Sequence, residues 1–127
     1  MDSQNEAILE LENISFSLDG KKILEEFSLQ IYSGEIFVIF APSGSHKSDL
    51  LKLCIGLHKP VSGTVKFKGI DINNISSNEL QKIRCRIGFV FQESALLSNM
   101  RVIDNIALSL RYHTDLDEES ILTKVYE

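Results

Sequence analysis

A lysine and a serine, at positions 47 and 48, close a short loop whose residue types suit the binding of phosphate. The preceding loop residues are Ala41, Pro42, Ser43, Gly44, Ser45 and His46. The residues that follow are typical of a helix, and the first turn of a helix presents backbone N–H groups and a positive dipole end to phosphate oxygens. In such a loop Lys47 would lie along the β- and γ-phosphates, and the Ser48 hydroxyl would coordinate Mg²⁺. The spacing therefore predicts a phosphate-binding loop.

This loop departs from the usual phosphate-loop pattern in three places. The pattern G-x-x-x-x-G-K-[ST] expects glycine where the chain has Ala41 and His46. The imidazole of His46 must turn outward or enter the phosphate volume, because glycine at that position lets the backbone approach phosphate closely. Asp49 suits the start of a helix but also brings a carboxylate near a polyphosphate, which repels it. From the loop alone, a plain strand–helix connection with an exposed lysine remains an alternative interpretation.

The segments before the loop favour β-structure. Residues 7–18 and 21–32 read as two strands that are joined by a hairpin turn at Asp19-Gly20. The segment 35–40, in which a glutamate is followed by five apolar residues, predicts a strand that is buried on both faces, as in a parallel sheet. The loop would thus follow the end of a buried strand.

The segments after the loop alternate between helices and strands. Helical spacing of apolar residues predicts a helix after Lys47, and Ser76-Ser77-Asn78-Glu79 is a capping-box sequence that places a helix start near Ser76. Alternation from residue 64 predicts a half-exposed strand, and the apolar run at 87–91 predicts a second buried strand. Further helices are expected over 102–111 and within 115–127.

Composition and charge exclude several classes of protein. The chain has 127 residues, of which 43% are hydrophobic and 24% charged, which is ordinary for a globular domain and excludes wholesale disorder. The net charge of −5 argues against nucleic-acid binding through a basic face. Net charge is −6 over 1–40, +5 over 41–113 and −4 over 114–127. The basic middle segment suits an anionic ligand, although a solvated Lys/Arg face would give the same pattern.

Targeting signals and cysteine clusters are not evident in the sequence. No apolar run approaches the roughly 20 residues that span a bilayer, and the first residues do not resemble a secretory signal. Cys54 and Cys85 are isolated, so we expect two free, buried thiols and no metal cluster.

The order of these landmarks resembles the first half of the nucleotide-binding domain of ABC transporters. The loop and helix continue through APSGSHKSDLLKLCIGLHKPVSGTVKFKGIDI, and IGFVFQESALLSNMRVIDNIALSLRYH then places Phe91-Gln92 where the family's Q-loop follows a core strand. The segment from Phe91 to His113 is most similar to the Mla/Mce-type ATPases of phospholipid or organic-solvent-resistance transport. The resemblance implies an α/β P-loop NTPase fold with an N-terminal antiparallel β unit and an incomplete parallel core.

The resemblance also implies roles for particular residues. Lys47 would be the phosphate lysine and Ser48 the magnesium ligand, within a nucleotide-binding segment from Ala41 to Asp49. Within this segment, the backbone amides of Ser43, Gly44 and Ser45 would donate to the phosphates. Gln92 would be the Q-loop glutamine, which helps to order Mg²⁺ and the attacking water, although by itself it reads as a solvent-facing glutamine.

On the adenine side, the family usually has an aromatic residue that stacks on the base. The chain has Leu18 near this position, with Phe16 on the same strand face as the alternative. The two residues are therefore candidates for the adenine side of the site, and the leucine puts stacking in question.

The resemblance divides the chain into a β unit (7–34), a core that runs from the phosphate loop to the Q-loop (35–92), and the start of a helical subdomain (93–127). The signature motif, the Walker B aspartate, the catalytic glutamate and the switch histidine have no counterparts in the sequence, so no complete hydrolytic site is expected. The implied cofactors are ATP and Mg²⁺. The implied partners are a transmembrane permease subunit and a second ATPase subunit, at the cytoplasmic face of the membrane, with no nucleic acid.

Two functions are compatible with these features. The chain could be an ATP-binding portion of a transporter that moves lipid-type substrates, with hydrolysis only in a complete assembly. Alternatively, it could be a truncated and nucleotide-deficient relative that acts as an interaction module or has no function. Lys47, Ser48 and Gln92 favour the first, whereas Ala41, His46 and Asp49 favour the second.

Overall fold

A computed structural model describes residues 6–93 and 95–127 of the chain. These residues form two compact units, one that ends at Gly88 and one that runs Phe89–Glu127. The strands are β1 (Ala7–Leu18), β2 (Lys21–Tyr32), β3 (Ser62–Phe67) and β4 (Ile70–Asp71). The helices are α1 (Lys47–Cys54), α2 (Ser77–Arg84), α3 (Val102–His113) and α4 (Glu118–Tyr126). None of the helices in the described part of the chain has both the length and the apolar character needed to cross a bilayer.

The strands form a four-stranded antiparallel sheet in the order β2-β1-β3-β4. β1 and β2 make the predicted hairpin around Asp19-Gly20. β1 does not alternate strictly, because Asn13 has φ 48° and the register against β2 shifts between Leu11 and Ile14. The resulting bulge turns both Leu11 and Ile14 into the core, where they are 1% and 0% exposed.

Gly63 lets β3 lie against this irregular part of β1. Its φ is +91°, and a Cβ at this position would lie 2.4 Å from the carbonyl oxygen of Asn13 and 2.5 Å from that of Glu12. Backbone atoms cannot swing aside as a flexible side chain can. The close pairing of β3 with β1 therefore requires glycine at residue 63.

The core of the first unit combines the sheet with α1 and α2. Its buried members are Leu11, Ile14, Phe16, Leu50, Leu53, Cys54, Val65, Phe67, Ile72 and Ile83. Burial raises the pKa of the Cys54 thiol to about 11, so this cysteine packs as a small apolar residue and is not a nucleophile at neutral pH. Both cysteines are free thiols, as expected, but the expected burial is confirmed only for Cys54, because Cys85 is exposed.

Side-chain hydrogen bonds fix both ends of α2. The predicted capping box is confirmed, since the N–H of Glu79 donates to Ser76 Oγ at 3.3 Å and the N–H of Ser76 donates to Glu79 Oε2 at 3.0 Å. At the other end, Arg84 donates from Nε to the carbonyl of Ile55 at 2.9 Å and from Nη2 to that of Gly56 at 2.8 Å. Arg84 thereby fastens α2 to the segment that follows α1.

The apolar runs at 35–40 and 87–91, predicted as buried strands, are not strands in the structure. Neither run pairs with a neighbouring strand among the residues described. Ile36 is 94%, Phe40 91% and Val90 93% exposed. A strand needs a hydrogen-bonded neighbour, and burial on both faces needs a layer on each side. The strand predictions were wrong for both ranges, and no parallel pairing forms within the described residues.

Charged and amide side chains hold the second unit together. Arg111 of α3 donates to Asp104 Oδ1 at 3.3 Å and, from Nε, to Glu118 Oε2 of α4 at 3.1 Å. Asn105 accepts a hydrogen bond from the N–H of Leu97 at 2.7 Å and donates to the carbonyl of the same residue at 3.1 Å. The loop before α3 is thus tied to the first turns of that helix.

The exposed apolar residues Ile36, Phe37, Val38 and Phe40 are expected to bind a dye such as ANS. Replacing Ile36 and Phe40 by asparagine should lower the dye fluorescence, because both side chains are more than nine-tenths exposed. For the same reason the free energy of unfolding should change by less than about 0.5 kcal/mol. Fluorescence titration and urea unfolding of both proteins test this. A large loss of stability would show that these side chains are packed in solution.

Replacing Arg111 by glutamine should weaken the α3–α4 hairpin at neutral pH but have little effect in acid. Hydrogen bonds from Arg101 and Arg111 lower the pKa of Asp104 below 3.8, and a hydrogen bond from Arg111 lowers the pKa of Glu118 below 4.5. Stabilisation from carboxyls with lowered pKa values is complete above their ordinary pKa values and disappears as the pH falls through the folded-state values. Helix content can be followed by circular dichroism during urea unfolding.

The matched control for this prediction is Lys124→Gln, which removes the same charge from α4 of the same unit. This control variant should change the stability measured by urea unfolding only slightly at either pH. A loss of stability for Arg111→Gln that is as large at about pH 2 as at about pH 7 would contradict the prediction.

Candidate phosphate-binding site

The candidate site is the loop at 41–46, which turns tightly before α1. The N–H of Ser45 donates to the carbonyl of Pro42 at 3.2 Å, and Gly44 between them has φ +79°. A Cβ at Gly44 would meet no atom within 4 Å, so the backbone conformation rather than lack of space favours glycine there. Since the amide of Ser45 is used inside the turn, it is not directed at a ligand in this structure.

Lys47 folds back over the loop. Its ammonium donates to the carbonyls of Ala41 and Pro42, both at 2.8 Å, and to Ser45 Oγ at 3.2 Å. These three acceptors match the three protons of the ammonium and place the charge at the centre of the loop. A phosphate oxygen is a stronger acceptor for an ammonium than a neutral carbonyl, so exchanging these partners for phosphate is chemically favourable.

His46 adopts the backbone conformation that glycine would supply in the phosphate-loop pattern. It is the N-cap of α1 with φ 60° and ψ 31°, and its side chain makes no capping hydrogen bond. Its Nδ1 lies 3.0 Å from Asp49 Oδ2. The imidazole is therefore bonded to the first turn of α1, whereas the ammonium of Lys47 bonds to the loop. Of the two arrangements that the sequence allows, the structure has the imidazole turned away from the loop centre.

Asp49 joins His46 to two other basic side chains. Its Oδ1 lies 3.0 Å from His58 Nε2 and 3.5 Å from Lys52 Nζ, and its side chain is only 14% exposed. Burial alone would raise the pKa of the Asp49 carboxyl, but hydrogen bonds from His46 and His58 and the charge of Lys52 hold this pKa below its usual value. The carboxylate is ionised at neutral pH, and its charge is directed at these partners.

Phe16, a candidate for the adenine side, lies inside the first unit. It is 4% exposed, and its ring stacks on that of His58 with centroids 5.3 Å apart and an interplanar angle of 29°. This leaves Phe16 little surface to offer to a nucleobase, whereas Leu18 is only partly buried. His58 was missed by sequence reasoning, which favours a surface or helix-end role for a histidine at that position.

The two candidate magnesium residues lie in different units. Ser48 is in the first turn of α1 and half-buried, and Gln92 is exposed at a bend just after Phe91. Across the described residues, no group of three or more His, Cys, Asp or Glu side chains is arranged to hold a metal ion. The Ser48 hydroxyl fits a magnesium–nucleotide complex as a single protein ligand, because Mg²⁺ usually takes one or two protein ligands and completes its shell with phosphate oxygens and water.

Comparison with known proteins identifies the family. Residues 24–126 match the ABC transporter family. The chain is 38% identical over 117 residues to the intermembrane phospholipid transport system ATP-binding protein MlaF of Haemophilus influenzae, covering 92% of the chain and 44% of that protein. It is 39% identical over 119 residues to the probable ribonucleotide transport ATP-binding protein mkl of Mycobacterium leprae, covering 94% of the chain and 34% of that protein. The chain thus spans less than half the length of these relatives.

Solved structures agree with this assignment. One of them is a dimeric ATP-binding cassette in a post-hydrolysis state, bound to ADP and phosphate. It superimposes with a TM-score of 0.83 and 30% sequence identity, and the match covers 93% of the present chain and 54% of the cassette's chain. The cbiO1 protein of Clostridium perfringens, part of an ABC transporter complex, gives a TM-score of 0.74 and 29% identity over 94% of the chain and 47% of its own. The expected P-loop fold class and the resemblance stated from the sequence are both confirmed: the chain belongs to the ABC transporter family.

Proposed function

We propose that the chain carries the ATP-binding loop of an ABC transporter subunit. The observation that carries this proposal is the position of Lys47, whose ammonium lies over the loop within 2.8 Å of two of its carbonyls, at the N-terminus of α1. A cation and a helix start at one place form a setting for a polyphosphate.

In this proposal the residues of the loop divide the task of binding. Lys47 pairs with the β- and γ-phosphates, and the amides of Ser43, Gly44 and the start of α1 surround their oxygens. The Ser48 hydroxyl is the protein ligand of Mg²⁺, and Gln92 is the Q-loop glutamine. The metal, when bound, offsets phosphate charge and aligns the phosphate chain.

Hydrolysis is proposed only for a complete assembly with a second ATPase subunit. The one acidic side chain of the segment 41–49, Asp49, has a lowered pKa and is held by two histidines and Lys52, which makes it a poor proton acceptor. The proposed activity of this chain is therefore nucleotide binding.

The proposed role of the assembly is ATP-driven transport of a lipid-type substrate through a permease at the cytoplasmic face of a membrane. The similarity to MlaF, named for phospholipid transport, supports the substrate class. In the second unit, Val102 and Ile106 lie one turn apart on α3 and are 69% and 53% exposed. Apolar surface of this kind supports contact with another protein.

A second candidate function is an interaction module that no longer binds nucleotide. Two observations favour it: the amide of Ser45 is used inside the turn, and a histidine occupies the glycine position 46. This candidate predicts a folded chain with no affinity for MgATP. The two functions are therefore distinguished by one binding measurement.

Titration calorimetry of the purified chain with MgATP should show binding that Lys47→Ala weakens at least tenfold. The reason is the loss of the charged hydrogen bonds that Lys47 makes to phosphate. Lys82→Ala is the matched control, because it removes the same charge from an exposed position on α2 and should leave affinity unchanged. Absence of binding by a chain whose circular dichroism shows it to be folded would favour the interaction module.

A further inference from the structure

We propose that Asp49 and His58 are positioning residues that hold His46 in the left-handed backbone conformation at the entry to α1. The consequence of this proposal for nucleotide affinity rests on the proposed ATP-binding function. The proposal about the backbone itself does not depend on it.

The conformation of His46 needs an external support. His46 has φ 60°, in the left-handed region. A residue with a Cβ is disfavoured in this conformation, which only glycine adopts freely. As the N-cap of α1, His46 makes no side-chain hydrogen bond to the backbone N–H groups of the first turn, so the usual capping contact is not made. Among the described residues, the side chain of His46 is hydrogen-bonded to Asp49, at 3.0 Å, three residues along the helix. The support for the unusual backbone therefore comes through this carboxylate.

Asp49 is itself held from the core. His58 Nε2 lies 3.0 Å from the second oxygen of Asp49, and the ring of His58 stacks on Phe16, which is 4% exposed. Lys52 adds a contact to Asp49 at 3.5 Å. A continuous series of contacts thus runs from the buried Phe16 through His58 and Asp49 to His46. Since Phe16 is packed in the core, the far end of the series is also fixed in position.

The departures from the family's phosphate-loop pattern are coupled in this arrangement. A glycine at residue 46 adopts positive φ without help, so the carboxylate at 49 and the histidine at 58 would then have nothing to hold. With histidine at residue 46, both supports are needed to present the same backbone. Substitutions at Asp49 should therefore have strongly different effects in the presence of His46 and in the presence of glycine.

The first test compares Asp49→Ala with Asp49→Asn. Both variants lack the negative charge, so a difference in affinity between them cannot come from repulsion of phosphate. Only asparagine keeps a side-chain oxygen that can accept a hydrogen bond from His46. In the chain with His46, the alanine variant should bind MgATP about fivefold more weakly than the asparagine variant, as expected for one hydrogen bond. With His46→Gly added, the two should bind equally. The same ratio in both backgrounds, or no difference in either, would overturn the proposal.

The second test needs no nucleotide. The ¹³Cα and ¹³Cβ chemical shifts of His46 report its backbone conformation, and His113 in the second unit serves as the reference histidine. Asp49→Ala should move the shifts of His46 away from the left-handed values, and Asp49→Asn should largely retain them. Unchanged His46 shifts in Asp49→Ala would overturn the proposal. If the parent chain fails to bind MgATP, the proposed function fails, and these shifts still decide the positioning role.

Whether the variants fold distinguishes an effect of Asp49 through His46 from an effect on the whole first unit. If Asp49→Ala does not fold, the double variant with His46→Gly should restore the folded state, because glycine no longer needs the support. Failure of the double variant to fold would show that Asp49 acts on the whole unit and not through His46, which would contradict the proposal. The Glu12→Gln variant, which disrupts the ion pair with Lys66 at 2.9 Å on the sheet, is the control for loss of a charged contact elsewhere in the first unit.

Discussion

The packing of α1 against the antiparallel sheet is the interaction on which the candidate site depends. Leu50 and Leu53 are 7% and 0% exposed in the same cluster as Ile14 of β1. Full burial of one such side chain contributes about 1.5–3 kcal/mol, whereas an exposed ion pair contributes about 0–1 kcal/mol. Apolar packing therefore sets the position of the helix, and Lys47, in its first turn, follows. The polar contacts of the loop then adjust side chains on a helix that is already placed.

Sequence reasoning succeeds here where the deciding contacts are local. The capping box of α2 involves Ser76 and Glu79 on the same turn, and the β1–β2 hairpin closes around two residues, so both can be read from spacing. The run at 35–40 has the composition of a buried strand, but a strand also needs a neighbour to accept its hydrogen bonds. Composition reports how apolar a segment is and does not report whether a neighbour is present. The prediction failed for that reason.

The same distinction separates the residues of the candidate site. Lys47 and Ser48 could be identified from their spacing to the loop. His58 could not, because its contact with Asp49 depends on the chain turning back after α1, through Gly56 with φ 68°, so that residues nine apart in sequence meet. Arg84 reaches the carbonyls of Ile55 and Gly56 across a still longer separation. No helical or strand periodicity encodes contacts of this kind.

The geometry around Asp49 changes how its presence in a phosphate loop should be judged. An isolated carboxylate about 6 Å from a phosphate charge, at an effective dielectric constant of about 20, would repel it by about 3 kcal/mol. Asp49 is not isolated, because Lys52 lies 3.5 Å away and two imidazoles are directed at its oxygens. Seen from the loop, a carboxylate paired with an ammonium acts more as a dipole than as a full charge, and the field of a dipole falls off faster with distance. The carboxylate of Asp49 is therefore expected to repel a phosphate less than an isolated carboxylate at the same distance would.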